Sequence, residues 1–171
     1  LRTLGYDVTA FHVNYGLRTG ADAEEALVRQ WCKGQTPSVP LRVAQLDAER
    51  QADAKGTSLQ AAARRLRYDA FASHAQQHDI DAVAVGHHQD DQAETVLLNL
   101  LRGSGPEGLA GMPPTRHLAK TDVRLVRPLL GLDRDTIRAY AEQQDIPWRT
   151  DPSNEDPAYD RSFLRADILP R

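Results

Sequence analysis

Cysteine occurs once in this chain of 171 residues, at Cys32. That scarcity excludes an internal disulfide and any metal site built on several thiolates. No run of about 18 apolar residues occurs, which excludes a membrane-spanning helix. No basic segment followed by an apolar one suggests a secretory leader, so a cytoplasmic protein is expected. An excess of positive charge is also lacking: 21 Lys and Arg stand against 24 Asp and Glu, for a formal net charge of −3. Such a balance argues against a surface built throughout to hold nucleic acid, while leaving room for local basic clusters. Neither an internal repeat nor a low-complexity segment is present. Gly103, Gly105, Gly108 and Gly111 follow neither the Walker nor the Rossmann spacing, so a structural turn is the better reading of that loop. What is present is 40% hydrophobic residues, enough for one domain with a sizeable core. Cys32, next to Trp31 on a predicted helix, is expected to be a small core residue.

Alternation of strand and helix patterns organises the chain. Val8–Asn14 (VTAFHVN) reads as a strand ending in a polar turn, and Asp22–Lys33 as a helix opened by an Asp-x-x-Glu box. Leu41–Leu46 (LRVAQL) is a second strand. Thr57–Gln60 offers a Thr-x-x-Gln cap to a long helix whose buried stripe is Leu59, Ala62, Ala63, Leu66 and Ala70. Ala82–Val85 lacks period-2 alternation and suits a short strand buried on both faces of a parallel sheet. From about Asp91 to Leu101, the apolar positions Ala93, Val96, Leu97, Leu100 and Leu101 predict a core-facing stripe. A Gly- and Pro-rich connection, Gly103–Pro114, leads to a strand at Val123–Arg127 that Pro128 closes. Asp133 then caps a helix with Ile137, Tyr140 and Ala141 on its apolar side, and the tail from Pro147 is loop-like. Three strand–helix alternations predict an α/β fold with a parallel sheet and crossover helices.

Chemistry concentrates at the turn after the third strand. His87, His88, Asp90 and Asp91 stand between strand and helix, and open α/β sheets bind ligands at the carboxyl ends of their strands. One aspartate suffices to cap a helix. Here Asp90 and Glu94 share one helix face at i, i+4, and Asp91 and Thr95 share the neighbouring one. Hard oxygen ligands in that number suit magnesium, which bridges phosphate oxygens and offsets charge that develops during nucleotidyl transfer. His87 is favoured for a role because it follows the strand directly. On the long helix, Arg64 and Arg67 lie at i, i+3, where they either decorate a solvated face or clamp a phosphate or nucleic-acid backbone. Near the end, DPSNED (151–156) has strong turn chemistry, with Arg161 and Arg165 following at i, i+4; an ordered lid and a surface loop fit this pattern equally.

HVNYGLR (12–18), AARRLRYDAF (62–71), GHHQDDQAETVLLNLLRGSGPEGLAGM (86–112), RPLL (127–130) and DPSNEDPAYDRSFLRADILP (151–170) together closely resemble the bacterial tRNA(Ile)-lysidine synthetases. The motifs occur in that family's order and cover nearly the whole chain, and the block 86–112 is the most specific. The resemblance implies an N-type ATP pyrophosphatase (PP-loop) catalytic domain with a Rossmann-like, adenine nucleotide alpha hydrolase-like fold. It also implies a reaction. ATP adenylates the wobble cytidine of an isoleucine tRNA with a CAU anticodon, and the ε-amine of free L-lysine then displaces AMP to give lysidine. Carried over by motif, GHHQDDQAET implies Asp90, Asp91 and Glu94 as catalytic residues, with Asp90 and Asp91 near magnesium and phosphate. HVNYGLR implies His12 and Asn14 beside the nucleotide, with His87 joining them. AARRLRY implies Arg64 or Arg67 as substrate contacts, and DRSFLR implies Arg161, with Arg165 beside it.

Two main departures and a smaller one accompany the resemblance. The family's SGGxDS phosphate loop and the strand before it are not in the chain, and Leu1 falls inside the family's first helix. A domain truncated at its N-terminus is therefore expected, with a gap where a central strand belongs. Longer relatives also continue past the position of Arg171 into a tRNA-binding C-terminal region, which accords with the acidic balance here. At Tyr15, many relatives carry a second histidine. Alternatives to the ligase are a metal-dependent phosphohydrolase built on His87, His88, Asp90 and Asp91, and a non-catalytic nucleotide-binding module. A tRNA thiolase would need cysteines that the chain does not have.

Overall fold

The apolar runs around Val13 and Val43 become a parallel strand pair, and those around Val83 and Leu125 become a second one. In the computed structural model, which describes residues 1–17, 20–118, 121–149, 164, 168 and 169, these pairs belong to two units, Leu1–Ile80 and Asp81–Arg171. The fold is α/β, with helices joining parallel strands in each unit.

In the first unit, β1 (Ala10–Asn14) pairs in parallel with β2 (Leu41–Gln45), in a register that runs from Ala10 opposite Leu41 to Asn14 opposite Gln45. The crossover is α1 (Ala21–Gly34). After β2 come α2 (Ala48–Lys55) and α3 (Leu59–Gln77), which pack on each other. Burial falls on small side chains: Ala48 and Ala52 of α2, Ala62 and Ala75 of α3, and Cys32 of α1. Alanine allows close helix approach at little side-chain entropy cost. Cys32 is a core residue as expected, and burial raises its thiol pKa.

In the second unit the strand order is β3 (Ala82–Ala84), β5 (Arg124–Val126), β4 (Thr115–His117), with β3 and β5 parallel and β4 antiparallel to β5. Between β3 and β4 run α4 (Gln89–Leu101) and the single-turn α5 (Pro106–Leu109). After β5 comes α6 (Arg134–Gln143), whose first turn is closed by the Asp133 carboxylate accepting from the Thr136 N–H at 2.6 Å. That bond holds the Asp133 carboxyl below its ordinary pKa. Leu125, Leu118 and Leu164 are the large buried residues of this unit.

Several local expectations change. The Asp22-x-x-Glu25 box does not cap α1: Gly20 occupies the cap position, and Asp22 instead accepts from Asn14. Ser58 rather than Thr57 caps α3, accepting from the Ala61 N–H at 3.3 Å. Leu100 and Leu101 are 56% and 67% exposed, and the buried residue of α4 is Glu94, so the predicted stripe reverses at its C-terminal end. Tyr140 of α6 is likewise exposed. Helices α2 and α5 and strand β4 add to the predicted set because each is too short to carry a clear period. DPSNED, Arg161 and Arg165 lie outside the described residues.

Candidate functional site

Gly86 and His87 leave β3, and His88 takes the cap position of α4. The side chain of Asp91 folds back on this turn and accepts from the His88 backbone N–H at 3.0 Å. A carboxylate there satisfies an otherwise open donor and faces the positive end of the helix. The His88 ring lies beside it, with Nε2 at 3.5 Å from Asp91 Oδ2. Its other nitrogen, Nδ1, is buried without a hydrogen-bond partner and stands 3.9 Å from Asp90 Oδ1. Arg134, opening α6, brings Nε to 3.5 Å from Asp90 Oδ2. Backbone pairing ties the same two segments together, since the Gln89 N–H donates to the Leu132 carbonyl at 2.9 Å. One turn further along α4, Glu94 has no exposed surface.

His87 is held from the strand side. Arg127, directly after β5 and 4% exposed, donates from Nε to His87 Nδ1 at 3.3 Å and from Nη1 to the Pro113 carbonyl at 2.6 Å. An acceptor at Nδ1 assigns the proton of a neutral His87 to Nε2. The RPLL motif thus supplies a buried cation that sets the tautomer of a histidine forty residues away in sequence.

The glycine-rich loop is a structural turn, as its spacing indicated. Gln92 of α4 clamps Met112 with both ends of its amide: Nε2 donates to the Met112 carbonyl at 3.1 Å, and Oε1 accepts from the Met112 N–H at 2.7 Å. Asn99 donates to the Gly108 carbonyl at 2.7 Å. Gly111 has φ +71°, and a β-carbon there would stand 2.6 Å from the Gln92 amide nitrogen, so the clamp needs glycine. Gln92 and Asn99 were missed in the sequence. Their signal, amides at helix positions i and i+7 preceding a Gly-rich loop, is too common to read without the fold.

At the end of β1, Asn14 is 2% exposed and its amide is committed within the protein. Nδ2 donates to Asp22 Oδ1 and Glu25 Oε2, both at 3.1 Å, and Oδ1 accepts from the Gly16 N–H at 2.9 Å. The Asn14 bond, then the Arg29 bond, holds the Glu25 carboxyl below its ordinary pKa. His12 lies two residues earlier on the same strand. Tyr15 follows Asn14 and reaches α3: its hydroxyl donates to the Ala63 carbonyl at 3.0 Å and accepts from Arg67 Nε at 2.8 Å. The Arg67 guanidinium carbon sits 5.8 Å from the centre of the Tyr15 ring. Its neighbours differ, because Arg64 stacks on Tyr68 at 5.2 Å and Arg65 pairs with Asp69 at 3.7 Å.

Asn14 and Arg67 are therefore brought to one place through Tyr15, and His87, His88, Asp90 and Asp91 to another. Among the described residues, no group of three or more His, Cys, Asp or Glu side chains is arranged to hold a metal ion. An open cleft of about 480 Å³ lies elsewhere in the first unit, lined by Phe11, Arg42, His74 and His78 among others. Burial, then the neighbouring His78 and Arg42, lowers the pKa of His74. No described helix is long and apolar enough to cross a membrane.

Comparison with known proteins adds three findings. A family model described as a PP-loop domain matches residues 1–171. Proteins named tRNA(Ile)-lysidine synthase are similar along the chain: 43% identity over 171 residues in Porphyromonas gingivalis strain W83, covering 99% of this chain and 36% of that protein; and 45% over 161 residues in Alkalilimnicola ehrlichii, covering 94% and 34%. The chain spans about a third of the length of these relatives. Among solved structures, the U34-tRNA thiolase NcsA from Methanococcus maripaludis with its [4Fe-4S] cluster has a TM-score of 0.73 at 17% identity, over 92% of this chain and 54% of that one. At that identity the likeness concerns the fold alone.

Proposed function

Because this chain belongs to the PP-loop domain family, we propose that it serves an ATP-dependent ligation that modifies tRNA, and specifically that it joins L-lysine to the wobble cytidine of an isoleucine tRNA with a CAU anticodon. The observation that carries this reading is the 43% identity to a protein named tRNA(Ile)-lysidine synthase over 99% of the chain. The acidic turn after β3 gives it a chemical basis.

A cytosine oxygen is a poor leaving group until AMP is attached to it. Attachment concentrates negative charge around the phosphorus under attack, which positioned donors and cations must offset. His87, an Nε2–H donor held by Arg127, is assigned to ATP, and His12 of β1 is assigned to it as well. Asn14 contributes indirectly, since its amide shapes the turn that presents Tyr15. Arg64 and Arg67, with Arg161 and Arg165, are assigned to the tRNA or to substrate phosphates. In the second step the lysine amine must attack in its neutral form, and a carboxylate of the acidic turn accepts its proton.

Magnesium fits this donor set in one mode only. The described residues supply no three-ligand cage, but magnesium is commonly held by one or two carboxylates with substrate phosphates and water completing the shell. Asp90, the more exposed of the pair, and Asp91 would hold it, and the ion would supply charge neutralisation at the phosphates. Glu94, buried one turn further along α4, is assigned to the catalytic set with them.

The test is direct. The protein expressed from its full-length gene, given isoleucine tRNA, ATP and labelled lysine, incorporates lysine into tRNA and releases pyrophosphate. Phosphate release from a simple ester without lysine would replace this reading with a phosphohydrolase. Nucleotide binding without turnover would leave a passive binding module.

A further inference from the structure

Three arginines stand within four residues on α3, and their surroundings separate them. Arg65 is paired with Asp69, four residues away, and Arg64 covers Tyr68 on its own helix. Arg67 alone is tied to a different element. Its Nε donates to the Tyr15 hydroxyl at 2.8 Å, and its guanidinium lies over the Tyr15 ring. Among the described residues it has no carboxylate partner, and it remains exposed. Tyr15 is itself fixed by donating to the Ala63 carbonyl at 3.0 Å and by following Asn14, whose amide is locked to α1.

This is the arrangement that prepares an arginine for a phosphate. An unsupported arginine loses rotamer freedom when it is immobilised on a ligand. Here one donor and one face are already engaged by a rigid tyrosine, and the two terminal amino groups, the bidentate edge, stay available. Tyr15 also keeps the cation on the β1 side of its helix, at the strand end where α/β folds bind nucleotides.

We infer that Tyr15 is a positioning residue, which holds the Arg67 guanidinium with its terminal edge presented to a phosphate of the nucleotide substrates, either a tRNA backbone phosphate or the ATP triphosphate. The inference rests on the reading above for its substrates. It goes beyond that reading in assigning a role to Tyr15.

The experiment uses the full-length protein as wild type, Tyr15→Phe, Arg67→Ala and the double variant. Dissociation constants for tRNA and for ATP are measured beside KM and kcat. Arg67→Ala weakens one substrate about tenfold, the typical loss of one charged contact. Tyr15→Phe keeps the ring and weakens the same substrate about threefold to fivefold, with kcat within about twofold. In the Arg67→Ala background, Tyr15→Phe adds nothing, which a merely structural tyrosine would not show. If the affected substrate is tRNA, Arg67→Ala also lowers the salt dependence of binding by about one phosphate contact. If it is ATP, the salt dependence for tRNA is unchanged. Either pattern supports the role. Unchanged binding of both substrates in Tyr15→Phe, or additive effects in the double variant, would overturn it. Wild-type protein that binds both substrates but incorporates no lysine would refute the ligase reading alone, and the binding arms would still judge Tyr15.

Discussion

Replacing Arg127 with methionine tests the link between the RPLL motif and the acidic turn. Methionine nearly matches the buried stem in volume, so the packing loss is small and the measurement reads the polar bonds. Arg127 donates to the Pro113 carbonyl at 2.6 Å and, at a longer 3.3 Å, to His87 Nδ1. A hydrogen bond from a charged group contributes about 1.5–3 kcal/mol, and the long one belongs at or below the bottom of that range. The Pro113 carbonyl is left without this donor as well. Removing the cation from its site also relieves a desolvation cost, which offsets part of the loss. We expect a net destabilisation of about 2–3 kcal/mol, read as a lower urea midpoint at unchanged slope. Nitrogen NMR of His87 supplies the second half of the test: the wild type shows the Nε2–H tautomer, and Arg127→Met shows a mixture. Arg127→Lys, which lacks the fork, retains one bond at most and falls between the two. A loss under about 0.5 kcal/mol, within the range of ordinary surface substitutions, would refute the reasoning, as would an Nδ1–H tautomer in the wild type.

Asp91→Asn keeps an oxygen able to accept from the His88 N–H, so the helix end survives. Pyrophosphate exchange should nevertheless fall by about a hundredfold or more, as is typical when a charge-stabilising group is removed, and near-normal exchange would remove Asp91 from the site. In Asn14→Ala the Glu25 carboxyl loses the bond that lowers its pKa most, so its pKa rises toward the ordinary value in a carbon-13 NMR titration; an unmoved pKa would mean that Arg29 suffices. His74 titrates below its unfolded value because burial, His78 and Arg42 oppose its charge. The unfolded chain therefore binds the extra proton first, and stability falls as pH drops through the unfolded value of about 6.5 toward the lower folded one. His74→Gln should flatten that part of the stability–pH curve, and an unchanged slope would contradict the assignment.

The alternation of apolar runs and capped helices was sufficient to anticipate the α/β class and parallel strands joined by crossover helices, because strand burial and helix amphipathicity are written in local periods; which strands pair came from the structure. The position of His87, His88, Asp90 and Asp91 at a strand-to-helix turn was equally legible, since Gly86, an apolar run and a helical pattern mark that boundary. Cys32 was a foreseeable core residue. What periodicity misjudged was the end of α4, where Leu100 and Leu101 continue the apolar spacing but face outward while Glu94 is buried. A helix period specifies which residues share a face and does not specify what that face meets.

Everything that depended on a partner distant in sequence was decided by tertiary structure. The partners of the Asn14 amide, namely Asp22, Glu25 and Gly16, were not legible in the sequence. Arg64 and Arg67 read alike in the sequence and are separated by Tyr68 and Tyr15. Arg127 read as the end of a strand and proves to hold His87. The reason is physical: backbone propensity and burial patterns act over one or two turns of chain, whereas hydrogen bonds choose among whatever donors and acceptors the folded chain brings within about 3 Å. Residue types and their local setting were therefore available from the sequence, and their partners only from the fold.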